Sequence, residues 1–164
     1  MNIYVVVEGE VGERKVYKHW IPLVNPHLSY VEHIDLIDYN NFAILVGGGY
    51  PRYFDVIESA IEDVNSCLKV DRLVIAVDSE EMTYDEKRQE MHDFLSARDC
   101  VAEIHLVIQH FCLETWALGN RVIIRRNPQN RKLREYRRFY DVREKDPEQL
   151  PGYSAEKLNR AQFA

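Results

Sequence analysis

Residues 3–10, Ile3-Tyr4-Val5-Val6-Val7-Glu8-Gly9-Glu10, and residues 73–81, Leu73-Val74-Ile75-Ala76-Val77-Asp78-Ser79-Glu80-Glu81, share one plan: five apolar residues run straight into acids. Five residues are too few for a helix, and apolar side chains at every position leave no polar face. Such runs are strands buried on both sides. Phe42 to Val46, closed by Gly47-Gly48-Gly49, is a third, and Ile104 to Ile108, which includes His105, is another strand. Helical spacing fills the gaps. One helix is expected from Glu13 to about Val24, burying Val16, Trp20 and Leu23, with Pro22 disturbing its last turn. A second, Arg52 to Leu68, buries Phe54, Ile57, Ile61, Val64 and Leu68. A third, Thr83 to Arg98, is charged and turns Met91, Phe94 and Leu95 inward. Val31 to Tyr39 alternates in part and is expected as an edge strand, and Leu113 to Leu118 begins a short helix. Strands alternating with helices require crossover connections. The fold class is therefore α/β, a mainly parallel sheet with helices on both faces.

The 164 residues suit one domain with a small appendage. With 46% hydrophobic and 29% charged residues, the chain is neither disordered nor collagen-like. No apolar run is long enough to cross a bilayer, and residues 1–20 lack the pattern of a signal peptide, so a cytoplasmic protein without a membrane partner is expected. Cys67, Cys100 and Cys112 are odd in number and widely spaced, which predicts reduced thiols. The net charge of −6 is uneven. Residues 121–143 hold nine basic and two acidic side chains, a net +7, leaving −13 for the rest. This change sets the expected division into a main domain, residues 1–120, and a basic, mostly helical C-terminal appendage, residues 121–164.

Functional groups of open α/β sheets collect beyond the carboxyl ends of the strands. Glu8 follows the first strand directly, and Asp78 and Glu80 follow the strand at 73–77. If that strand continues, Asp78 and Glu80 point to one side. Converging carboxylates repel one another unless a cation lies between them, and such hard oxygen ligands suit magnesium or manganese. The competing role for each acid is a helix cap or a solvated loop. Gly47-Gly48-Gly49 lacks the Lys-Ser/Thr of a P-loop. It is either a tight turn or a backbone that approaches a phosphate. His105 is expected to be structural; His110 is either structural or an acid–base group.

Val7-Glu8-Gly9-Glu10-Val11-Gly12-Glu13 after the first strand, with Ala76-Val77-Asp78-Ser79-Glu80 after a later one, resembles a Toprim domain. The spacing of Glu8, Gly9, Glu10 and Glu13 is similar to the Glu-Gly-Glu-x-x-Glu of RloB-like proteins. Phe111-Cys112-Leu113-Glu114-Thr115-Trp116-Ala117-Leu118 resembles their Cys-Phe-Glu-x-Trp-Leu-Leu segment, and the glycine run is similar to one in OLD-type nucleases. The sequence departs from the pattern at Glu80, where an aspartate is usual, and at Gly12, where a threonine is usual. The resemblance covers about residues 1–120. It implies a magnesium- or manganese-dependent nuclease, with catalytic Glu8, Asp78, Glu80 and Glu114 and metal ligands Glu8, Asp78, Glu80 and Glu13. Glu13 also opens a helix, where an acid is favoured in any case. Glu114 stands among apolar residues, where an acid wants a partner. Anti-phage defence, and a partner such as an ATPase subunit or a second copy of the chain, are implied by the resemblance alone.

In the basic segment Arg125, Arg126, Arg131, Lys132, Arg134, Arg137 and Arg138 are candidates for nucleic-acid phosphates, with tyrosines available to stack on bases. The competing roles are a solvated helix packed by its tyrosines and an interface with a partner protein. One more helix is expected at Ser154 to Phe163. The function expected overall is phosphodiester cleavage in nucleic acid; the alternative is a non-catalytic Toprim-like subunit that binds nucleic acid or a partner protein.

Overall fold

The apolar runs hydrogen-bond into one five-stranded sheet in the computed structural model, which describes residues 1–9 and 11–151. The strands are β1 (Ile3–Val7), β2 (Ser29–Tyr30), β3 (Asn41–Val46), β4 (Arg72–Asp78) and β5 (Glu103–Gln109), in the order β2-β3-β1-β4-β5. β1 pairs in parallel with β3 and with β4, and β2 pairs in parallel with β3. The helices are α1 (Val11–Val24), α2 (Tyr53–Cys67), α3 (Tyr84–Ser96), α4 (Leu113–Ala117) and α5 (Arg131–Phe139). The α/β class expected from the alternation of strands and helices is the one found.

Strand order explains why β1 is apolar at every position. After β1 the chain moves outward to β2 and β3; after β3 it crosses β1 to reach β4 and then β5. Right-handed crossovers in opposite directions put α1 on one face of the sheet and α2 and α3 on the other. Tyr4 and Val6 join the core cluster with Leu73, Ile75, Tyr53, Ile57 and Met91. Val5 and Val7 alternate to the opposite face and are just as buried, 1% and 0% exposed. The connections after β1 and β4 leave on opposite faces, so the switch point of the sheet lies between these neighbours.

Three sequence expectations need correction. In α1 the buried residues are Glu13 and Tyr17, while Trp20 and Leu23 are 39% and 79% exposed. The apolar stripe through Val16 lies about 100° around the helix from Tyr17, one residue of rotation. The strand expected at Val31 to Tyr39 is reduced to Ser29–Tyr30, followed by a 3-10 turn at Ile34–Leu36. The Asn41 side chain accepts from the N–H groups of Asp38 and Tyr39, and Asn40 takes φ 51, so the chain turns back instead of extending. Leu68 is 72% exposed and left-handed, φ 54, where it ends α2 with its N–H on the Val64 carbonyl.

The chain resolves into two compact units. One is Met1–Val77 with Arg88–Ile108; the other, among the described residues, is Asp78–Lys87 with residues 109–151. Residues 109–120 thus group with the basic segment and not with residues 1–77. All three cysteines are free. No helix among the described residues is long and apolar enough to cross a membrane. The helix expected at Ser154 to Phe163 lies outside the described residues.

Candidate functional site

In the first unit the site is built on the end of β1. Glu8 is 5% exposed. Its N–H donates to the Ala76 carbonyl at 3.0 Å and its carbonyl accepts from Gly49 N–H at 2.9 Å; Gly47 N–H donates to Val7 at 2.7 Å. The glycine run is therefore a tight turn clamped onto β1, and the Gly47 and Gly49 amides are engaged there. A Cβ on Gly47 would stand 2.7 Å from the Tyr53 Cβ, so the turn closes only on glycine. Tyr53 is fully buried, and its hydroxyl is pushed above the usual tyrosine range first by burial, then by the charges of Glu90 and Glu8. Glu13, in the first turn of α1, is 9% exposed. Its carboxylate folds back over Gly9, where an added Cβ would meet Oε1 at 2.9 Å. That is the position of an acid facing a helix amino terminus.

In the second unit the chain leaves β4 differently from the expectation. Asp78 is the last residue of the strand and 9% exposed. Ser79, not Glu80, is the buried neighbour, 0% exposed. Its N–H donates to the Gln109 carbonyl at 3.0 Å, and its Oγ accepts from Phe111 N–H at 2.8 Å and bonds His110 Nδ1 at 3.1 Å. Glu80 N–H donates back to the Phe111 carbonyl at 2.9 Å. Glu80 and Phe111 both take positive φ, 52° and 66°. The strand does not continue through Glu80, so strand alternation does not set Asp78 and Glu80 on one side. Residues with side chains in this region of φ/ψ carry strain, which collects at functional sites. His110 stacks on Phe111 with ring centres 4.0 Å apart.

The Glu80 carboxyl is held above the usual range first by burial, then by the charge of Glu81, with Lys87 opposing and Glu114 adding to the rise. Lys87 is the residue that sequence reasoning missed. It lies in α3 and is 2% exposed. The signal was present: Lys87 stands one turn before Met91, on the stripe taken as inward-facing. Glu114 also differs from expectation. It is exposed, while Leu113 and Thr115 on either side are buried, because the first turn of α4 points it outward. Burial, ahead of all other causes, pushes the Cys112 thiol above its usual range, the direction that disfavours a thiolate.

Carboxylate oxygens are the donor chemistry of a hard divalent cation, so Glu8 and Glu13 of the first unit, and Asp78 and Glu80 of the second, are each acids of a kind that magnesium or manganese takes. Among the described residues no three His, Cys, Asp or Glu side chains already stand together as a metal group.

The basic segment folds around α5. Asn130 caps it, its side chain accepting from the N–H groups of Lys132 and Leu133. Three of its cations are used internally. Arg131 pairs with Glu135 at 2.9 Å, Arg137 with Asp141, and Arg143 donates to the carbonyls of Arg121 and Ile124. Arg125, Arg126, Lys132, Arg134 and Arg138 make no ion pair among the described residues. Arg126, Arg134, Arg137 and Arg138 line one cleft of about 460 Å³ whose single acid is Asp141. The candidates therefore separate into a structural group and a group available to an anion. No protein-family model, no curated protein and no solved structure matches this chain.

Proposed function

We propose that this protein is a Toprim-like, metal-dependent phosphodiesterase acting on nucleic acid in the cytoplasm. The observation that carries the reading is that Glu8, directly beyond β1, and Asp78, at the end of β4, are both buried acids on the two strands flanking the switch point. Burying a carboxylate is costly, and a fold keeps one at a strand end where something compensates it. Glu8, Asp78 and Glu80 would hold the cation, with Glu13 and Glu114 as further acids. A bound divalent ion would stabilise charge on a phosphoryl oxygen and lower the pKa of a bound water. The chain's own residues do the rest: the glycine turn holds the Glu8 backbone, and the Ser79 bonds hold the turn at Glu80. Arg126, Arg134 and Arg138 offer positive charge to a phosphate backbone without supplying chemistry.

A second reading is a non-catalytic Toprim-like subunit that binds nucleic acid or a partner protein. It is favoured by buried Lys87, which already sets a positive charge against Glu80. Cleavage of labelled single- and double-stranded oligonucleotides in magnesium, manganese and EDTA separates the two. The first reading expects metal-dependent cleavage, lost by at least about a hundredfold in Glu8→Gln and Asp78→Asn with the fold intact. Metal-independent products, or equal cleavage by the variants, would refute it.

A further inference from the structure

The first unit carries a second cationic cleft, away in sequence from the arginine-rich segment. It has a volume of about 620 Å³ and is lined by Arg14, Lys15 and Lys18 of α1 and by Arg52 and Gly48 of the turn before α2, with Glu32 as its only acid among the described residues. Arg14 and Lys18 are one helical turn apart and so face the same way. Both reach Glu32, at 2.7 and 3.5 Å, and Lys18 also lies over the Tyr30 ring, 3.7 Å from its centre. One carboxylate thus answers two cations. Lys15 and Arg52 make no ion pair among the described residues. Four cations against one acid leave a local charge of +3 in a chain whose net charge is −6.

The turn that closes onto β1 also shapes this cleft. Gly48 has φ +76, and a Cβ there would stand 3.2 Å from the Arg52 Cδ. Glycine therefore lets the Arg52 side chain lie along the turn and into the cleft. Concentrated positive charge without matching acids repels itself and contributes nothing to the core. Its chemical complement is an oxyanion with several acceptor oxygens, and arginine and lysine side by side suit phosphate.

We infer that this cleft binds phosphate oxyanions, and specifically the backbone of a nucleic-acid strand, as a binding surface additional to the arginine-rich segment. The inference rests on the nucleic-acid part of the proposed function and not on cleavage, so it is tested without metal. The probe is a fluorescein-labelled 20-nucleotide single strand titrated with the full chain in EDTA at several salt concentrations, with inorganic pyrophosphate as competitor. The variants are Lys15→Gln/Arg52→Gln, at the cleft, and Arg126→Gln/Arg134→Gln/Arg138→Gln, at the other segment. Thermal unfolding of each checks the fold.

If Lys15 and Arg52 each neutralise one phosphate, the double variant lowers the slope of log affinity against log salt by about 1.4, at ~0.7 per contact. Affinity at low salt falls on the order of tenfold. Competition by pyrophosphate with that same loss supports a phosphate site used by the strand. Pyrophosphate binding that the double variant abolishes, with strand binding unaffected, overturns the nucleic-acid assignment in favour of a free phosphate ligand. Unchanged affinity and slope in the folded double variant, or loss confined to the triple variant, overturns the inference and leaves the proposed function standing. Intact strand binding with no metal-dependent cleavage removes the proposed function and leaves the cleft.

Discussion

Replacing Ser79 by alanine tests whether the turn after β4 is held as the structure has it. The hydroxyl is fully buried and has two partners, Phe111 N–H at 2.8 Å and His110 Nδ1 at 3.1 Å. Alanine removes both bonds and deprives a partly buried amide of its acceptor. Losing the acceptor costs about 1–3 kcal/mol, and the half-buried His110 bond adds about 0.5–1. The main-chain bonds of Ser79 to Gln109 and of Glu80 to Phe111 survive, because they do not use the side chain. The sum spans about 1.5–4 kcal/mol, and its middle, about 2–3 kcal/mol, is the expected loss. For a chain of this length that is roughly 4–12 °C in Tm. With an m-value of about 2 kcal/mol/M, the urea midpoint falls by about 1–1.5 M. Urea unfolding by far-UV circular dichroism, run on Ser79→Ala, His110→Ala and the double variant, gives the coupling directly. The pair should couple by at least about 0.5 kcal/mol. A midpoint shift under about 0.2 M, or additive single variants, would show that Ser79 does not hold this turn and that the geometry assigned to Glu80 is wrong.

Two further outcomes follow from particular residues. The Arg137 hydrogen bond, ahead of all other causes, holds the Asp141 carboxyl below its usual range. A depressed acid stabilises the fold above its unfolded value of about 3.9, and the contribution is lost as pH falls through the folded value below that. The urea midpoints of wild type and Arg137→Ala should therefore differ at pH 6 and converge towards pH 3; a gap constant with pH would exclude the pair as its cause. For Leu68→Gly, relief of the left-handed backbone, about 1 kcal/mol, nearly offsets glycine's chain entropy and the small burial lost, so Tm should move by less than about 3 °C. A fall of 6 °C or more would restore Leu68 to the core.

The sequence by itself determined the layout. Uninterrupted apolar runs at 3–7, 42–46 and 73–77 have one low-energy fate, strands covered on both faces, and the intervening helical spacing forces crossovers and hence parallel pairing. Glu8 and Asp78 were legible as acids at strand ends because each follows such a run without a break; their burial was set by the fold. Long-range contacts settled the rest, where local pattern is silent or misleading. Glu80 left the strand where Ser79 bonds to Gln109, the last residue of β5, and to Phe111 just beyond it, the latter a partnership 32 residues apart in the chain. Leu68 and the Trp20–Leu23 stripe matched a helical period but met no covering surface. Lys87 went inside, and Arg137 was drawn to Asp141 while Arg138 was not. Charge and periodicity say which side chains are candidates. Whether a charge is buried, paired or available depends on neighbours supplied by distant chain, and those exist only once the sheet has formed.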